Sequence, residues 1–426
     1  MKRLRLILKW IGITAGAAIA ILLMFNVYYV WSTGTRLERR LMALRRAGEP
    51  VQLADLARGP IPPEKNADVF LRRAAADLDS IQKELTALYP KTVYPTGTLS
   101  PTDRETLETL FAAYPRVMPL LEQAADCPDS DPELDVTLPP TQFLQPFMDR
   151  SSKHRTPYRV LRARSTLLLA QGRTDEALAT QVLLLRLTRH WRKEPLIMGF
   201  LVTAVCESVA MEGVNQVLQA GPVSPSARRA LDAELALHDS LEGLRWALRS
   251  ERAYSLSAVR EFPGSGFWLT RGFANDLTSG FLRLYDRHLE DASRPYARVI
   301  SAKGAASRPA GGPYGALITL LEPALATARE PAEQVRAMSR SLRLLNALQV
   351  RVPPGGDRVP DLAALGLPAG ATIDPFNGKP LIVKGRPEGW MVYSVGRDGV
   401  DDGGKLDWRT DIGAGLIGPG RSPKSP

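Results

Sequence analysis

Cysteine and histidine are scarce in this chain of 426 residues, which has two of the first and four of the second. Two cysteines exclude a disulfide-dense scaffold and an all-cysteine zinc site, which needs four thiolates. Cys127 and Cys206 leave two readings open, one disulfide or two buried thiols. His154, His190, His238 and His288 show no metal-ligand spacing and are expected at helix surfaces or between helices. Neither H-E-x-x-H nor the phosphate loop G-x-x-x-x-G-K-[ST] occurs. Gly264-Ser265-Gly266 lacks the strand-and-helix context of a nucleophile elbow. Residues 413–418 match G-x-G-x-x-G, but Pro419-Gly420 forbids the helix that a dinucleotide site requires. The composition of a disordered chain is also missing: 44% of residues are hydrophobic, enough for a sizeable core. No catalytic constellation is legible, and a non-catalytic role is expected.

The positive charge is not spread. Of a net charge of +10, all but two units sit in residues 1–46, where Lys2, Arg3, Arg5, Lys9, Arg36, Arg39, Arg40, Arg45 and Arg46 face Glu38 alone. Such clustering excludes a nucleic-acid face and points to anionic lipid headgroups. Between the clusters, Trp10 to Thr35 carries no charge, and its apolar heart, Ile11 to Trp31, has the roughly 20 residues that a membrane span needs. Trp10 at one end and Tyr28, Tyr29 and Trp31 at the other read as aromatic belts. Ala18-Ile19-Ala20 fits a signal-peptidase site but lies mid-segment, so an uncleaved anchor is expected. The flanking charge is nearly balanced. A short inner tail with the large domain exported is the arrangement expected for such a start. The expected location is thus a cell membrane crossed once, with the bulk of the chain extracytoplasmic.

Residues 36–48 continue as a charged helical stalk, broken at Gly48-Glu49-Pro50. From about 64 to 350 the apolar pattern is helical, with Val69, Leu78, Ile81, Leu85 and Leu88 on one stripe. Ser100 before Pro101 predicts an N-cap followed by proline at the first helical position. Residues 128–146 read as a loop. Residues 157–192 predict a helical hairpin, stopped by Gly172, with Thr174 capping its second helix. The stretch 170–178, AQGRTDEAL, resembles the turn of a tetratricopeptide repeat, though no 34-residue recurrence follows. Pro195–Ala220 predicts a strongly apolar helix holding Glu207 and Glu212. Five residues apart, these acids face different sides and are expected at the helix surface or hydrogen-bonded. Further helices are expected near 225–239, 241–260, 267–303 and 323–350, with breaks at 263–266 and 309–313.

After residue 356 the helical period stops. Short β-type runs appear at Pro380–Lys384 and Trp390–Val395, and residues 413–426, dominated by Gly, Pro and Ser, predict disorder. The module reads Asp374-Pro375-Phe376-Asn377-Gly378, then Tyr393-Ser394-Val395-Gly396-Arg397-Asp398-Gly399, Asp401-Asp402-Gly403-Gly404 and Asp411-Ile412. Five aspartates within fourteen residues repel one another unless solvated, hydrogen-bonded or metal-bound. Calcium accepts such a Gly-rich oxygen set. The alternative is that these are Asx-turn residues bonding their own backbone.

This segment resembles the C-terminal β region of the major pseudopilins of type II secretion, in which an acidic loop binds calcium. By position the resemblance implies a calcium site at Ser394, Asp398, Asp402, Asp407 and Asp411. Arg409 stands where that family carries a second acid, so Asp407 would substitute by a longer route. The resemblance covers about 40 residues. The chain is not a whole pseudopilin, since no glutamate lies between Trp10 and Thr35. The wider arrangement is similar to a group of membrane-anchored bacterial proteins with helical middles and this same tail module.

The expected protein is mainly α: a cytoplasmic tail and transmembrane anchor (1–35), an irregular, tetratricopeptide-like helical array (36–350), a small pseudopilin-like β module (357–412) and a disordered tail (413–426). The expected role is an extracytoplasmic scaffold receiving an unidentified protein partner, with no nucleic acid. The alternative is a component of a secretion or pilus-like assembly with a calcium-binding loop.

Overall fold

The computed structural model describes residues 2–90, 95, 98–262, 264–303, 322, 325–351, 361–387, 389–407 and 409–415. Helix α1 (Lys2–Arg46) is continuous, and Gly48 in the left-handed region (φ +72°) ends it. The side chains from Trp10 to Phe25 are exposed. Beyond them the stalk is not free. Leu41 is buried, and Leu37 and Leu44 pack beside it, in a cluster with Leu244, Leu248, Leu282 and Tyr285 of α10 (Glu242–Glu261) and α11 (Arg271–Asp291). Arg40 pairs with Asp286. Tyr29, read as a belt residue, turns inward: its hydroxyl donates to Asp276, and its ring meets Phe273 edge-on at 5.9 Å. Gly272 lies so close to that ring that a Cβ would overlap it.

The body is built from α2 (Ala67–Leu88), α3 (Pro101–Ala113), α4 (Val117–Asp126), α5 (Pro140–Lys153), α6 (Arg155–Ala170), α7 (Thr174–Trp191), α8 (Ile197–Ala220) and α9 (Pro225–Leu237). The α2 stripe is buried at Leu78, Ile81 and Leu85 and runs out at Leu88, which is 44% exposed. Ser100 caps α3 as expected: its Oγ accepts from Asp103 N (3.1 Å), and Asp103 returns a carboxylate to the Ser100 N–H.

Several boundaries differ from expectation. The loop at 128–146 ends at residue 139, because Phe143 and Phe147 are buried and stacked at 5.9 Å, which outweighs the helix-internal Pro146. Thr174 does not cap α7; its Oγ1 donates to the Pro222 carbonyl (2.7 Å). The single helix expected over 267–303 is two, α11 and α12 (Tyr296–Lys303), split at Pro295, which cannot donate its backbone nitrogen. Both cysteines are free and buried.

Helix α13 (Arg329–Arg351) joins the body to the C-terminal module. Its arginines reach back to α9 and the turn after it: Arg343 grips Asp232 (2.8 and 3.3 Å), while Arg336 and Arg340 share Asp239 (2.9 and 2.8 Å). On its other side lies an antiparallel sheet in the order β1 (Ile382–Arg386), β2 (Gly389–Ser394), β3 (Ile412–Ala414). Val383 pairs with Val392, and Ser394 with Ile412. Val383, Trp390, Val392 and Ala414 belong to the same hydrophobic cluster as α2, α6, α7 and α8, so the sheet closes the body's own core. Strand β3 includes Gly413 and Ala414, which composition placed in the tail. Gly413 is needed because a side chain there would strike the Val392 carbonyl. The breaks expected at 309–313, the linker at 352–356 and the tail beyond 415 lie outside the described residues.

Candidate functional site

Helix α8 is apolar all round because both its sides are covered, and its few polar side chains therefore carry information. On one side Glu207 is fully buried beside the Arg192 guanidinium, with His238 Nδ1 at 3.1 Å. His238 Nε2 faces Glu234 Oε1, also at 3.1 Å, and Arg189 completes the set with an ion pair to Glu234 (3.1 Å). Burial alone would raise the Glu207 pKa, but Arg192 and His238 outweigh it and hold the carboxyl below its ordinary range. A second satisfied chain lies nearby. Arg150 bridges Asp68 (2.5 Å) and Glu194 (3.0 Å), and Glu194 meets His154 (2.8 Å), whose ring stacks on Trp191 at 4.6 Å. These are structural ion networks between helices. The four histidines all prove buried between helices, and His154 and His238 are engaged by carboxylates.

The opposite side of α8 is different. Glu212 lies about 140° around the helix from Glu207 at ideal helical geometry. It opens into a pocket of about 100 Å³ between α8, α13 and the C-terminal loop. Asn215, Gln334, Asp407 and Asp411 supply further polar walls, over a floor of Met338, Leu406 and Ile412. Among the described residues no hydrogen bond or ion pair is recorded to the Glu212 carboxylate. Burial pushes its pKa up to about 7, against a weaker pull from the charge of Arg162. Asn215 fixes the wall by bonding Gly415 in both directions: its Nδ2 donates to the carbonyl (3.2 Å) and its Oδ1 accepts from the N–H (2.9 Å). That contact joins residues 200 apart, and no local pattern announces it.

The five residues proposed as calcium ligands do not gather about one point. Ser394 Oγ donates to Asp374 Oδ1 (2.8 Å) and accepts from the Gly396 N–H (3.0 Å). Asp398 accepts from Val400 N (3.1 Å), and Asp407 from Arg409 N (3.1 Å). Asp402 is exposed, and its N–H donates to Asp411 Oδ1 (3.4 Å). Asp411 is buried, and its Oδ2 takes the Gly404 N–H (2.8 Å). Burial raises its pKa, partly offset by those two N–H donors. Among the described residues no group of three or more His, Cys, Asp or Glu side chains is placed to hold a metal ion. Most of the four carboxylates accept from the loop's own N–H groups, the pattern of the Asx-turn alternative. Two of the five, Asp407 and Asp411, instead line the pocket with Glu212.

Asp374 of the D-P turn is a brace that the motif quoted without a role. Its carboxylate takes Phe376 N (2.8 Å), Ser394 Oγ and Val395 N (3.1 Å), tying the turn to the end of β2. Chemically, the polar walls offer carboxylate and amide acceptors, the kind of group that pairs with an ammonium or guanidinium tip. Among the described residues the Glu212 carboxylate is not committed elsewhere, whereas Asp407 already accepts from Arg409 N through one oxygen.

No protein-family model, curated protein or solved structure matches this chain. The likeness of the tail module to major pseudopilins therefore rests on its motif residues alone.

Proposed function

We propose that the protein is a single-pass, membrane-anchored scaffold whose helical body lies on the extracytoplasmic side and receives a protein partner. The observation that carries this reading is α1. Its most apolar window is entirely uncovered by the rest of the chain, whereas its continuation is packed on α11 through Tyr29, Leu41 and Arg40. A helix that is bare through Phe25 and docked from Asn26 onward serves as a rigid mount for the body at a lipid surface. Basic residues flank the span on both sides, Lys2, Arg3, Arg5 and Lys9 before it and Arg36, Arg39 and Arg40 after it, so the orientation is proposed and is not fixed by charge. The pocket supports the partner-binding half. Glu212 is a carboxyl whose burial the charge of Arg162 only partly offsets, which suits a basic side chain presented by another protein.

The test is a C-terminal fusion of the full chain to alkaline phosphatase, which is active only when exported, combined with alkaline carbonate extraction of membranes. The reading expects an active reporter that stays with the membrane pellet. An inactive reporter would overturn the orientation, and release by carbonate would overturn the anchor.

A further inference from the structure

The connection between α10 and α11 exposes large apolar side chains. Phe262, Phe267, Trp268 and Leu269 are each 40–55% exposed, and Phe273 at the start of α11 adjoins them at 40%. A contiguous patch of this kind on a soluble surface marks an interaction site. Its height along α1 identifies the partner. Asn26 Nδ2 donates to the Leu269 carbonyl (3.1 Å), and Gly272 and Phe273 pack on Tyr29. Asn26 lies five residues before Trp31, the end of the apolar stretch, or about 7 Å along a helix axis. The loop is thus level with the last turns of the apolar segment. Tyr28 and Trp31 stand exposed on α1 at that same level.

The loop's backbone suits such a place. Ser265 N donates to Phe262 O (2.9 Å), Phe267 N to Gly264 O (3.0 Å), Thr270 N to Phe267 O (3.0 Å) and Arg271 N to Phe267 O (2.8 Å). These bonds pair part of the loop's backbone internally, which lowers the cost of entering a lipid interface. Exposed Arg260 and Arg271 flank the patch, and exposed Arg36 and Arg39 lie one to three turns further along α1, where anionic headgroups would meet them.

We infer that Phe267, Trp268 and Leu269 insert into the bilayer interface beside α1, so that the protein holds its membrane at two points and the aromatic belt is completed by a loop some 240 residues downstream. This rests on the anchor reading above. The lipid surface is the occupant because the patch is continuous with the span and bordered by cations.

The experiment uses the full chain in vesicles of phosphatidylcholine with a minority of phosphatidylglycerol. Single cysteines are introduced at Gly266→Cys, where nothing lies within 4 Å of an added Cβ, and at Ile21→Cys in mid-span, and each is labelled with an environment-sensitive fluorophore. The native cysteines are buried. The expected result is that residue 266 loses more emission to shallow than to deep nitroxide-labelled lipid, and residue 21 the reverse. If residue 21 is quenched by deep lipid while residue 266 responds only to aqueous iodide, the loop is outside the membrane and the inference falls, with the anchor intact. If residue 266 is shielded from both lipid and iodide, a protein or a second copy covers it, and the lipid assignment is overturned. If residue 21 is not quenched by lipid at all, the anchor reading itself fails.

Discussion

Glu207 and Glu212 lie on one helix, five residues apart, and face two regions built on opposite terms. On the α7–α9 side, Arg192, Arg189 and His238 surround the carboxylates of Glu207 and Glu234, and the charge is neutralised where it is buried. On the side of the C-terminal module, Glu212 shares a pocket with Asp407 and Asp411, and only Arg162 offsets the cost of its burial. The first region spends its polar groups on holding helices together. The second keeps a carboxyl that titrates near neutrality. Residues strained or unsatisfied in the resting fold are the ones available to a ligand.

The comparison breaks most visibly at Arg192. Arg192→Ala leaves Glu207 charged and buried, and we expect a loss of about 3–5 kcal/mol in urea unfolding. A loss below about 1 kcal/mol, typical of surface pairs, would show that the network is dispensable.

The pH response sharpens the contrast. The Glu207 pKa is lowered in the fold, so its contribution is present above the ordinary carboxyl value and is lost as pH falls through the folded value. The Glu212 pKa is raised from 4.5 to about 7, so its contribution is complete below pH 4.5 and is lost as pH rises through 7. Glu212→Gln should therefore stabilise the protein above pH 7, by on the order of 2 kcal/mol. It should leave the melting temperature unchanged below pH 4.5, the ordinary glutamate value. A stabilisation independent of pH would overturn this assignment.

A smaller effect is expected in the loop. Asp411→Ala strands the N–H groups of Asp402 and Gly404, at the low end of about 1–3 kcal/mol because water can reach this loop. Faster amide exchange confined to those residues is the readout. The smallest effect is calcium's. With most of the loop carboxylates bonding their own backbone, millimolar calcium should leave the melting temperature unchanged relative to chelator. A rise abolished by Asp398→Ala would restore the ion site.

Much of this architecture was legible. The α3 cap, the α6–α7 hairpin and the first two strands follow from Ser100-Pro101, Gly172 and the β-type runs around 380 and 390. That Glu207 and Glu212 face different ways follows from helical spacing alone. What escaped was short or remote. Strand β3 has three residues, two of them Gly and Ala, and the residue after it, Gly415, is held by Asn215 from 200 residues away. Helix α5 contains a proline that local rules count against a helix, and two buried phenylalanines override it. The pocket has no motif, because its walls come from α8, α13 and the loop before β3.

Two helices of this chain are long and apolar enough, among the described residues, to cross a membrane. Composition determined that both are helices and that both must leave water, since each is a long run of apolar residues with few charges. Flanking charge already distinguished α1. Only the tertiary structure decided that α8 leaves water by entering a protein core, with 72% of its most apolar window buried, while that of α1 stays bare. The physical reason is that hydropathy measures the cost of staying in water, whereas burial depends on which surfaces the distant parts of the chain bring alongside.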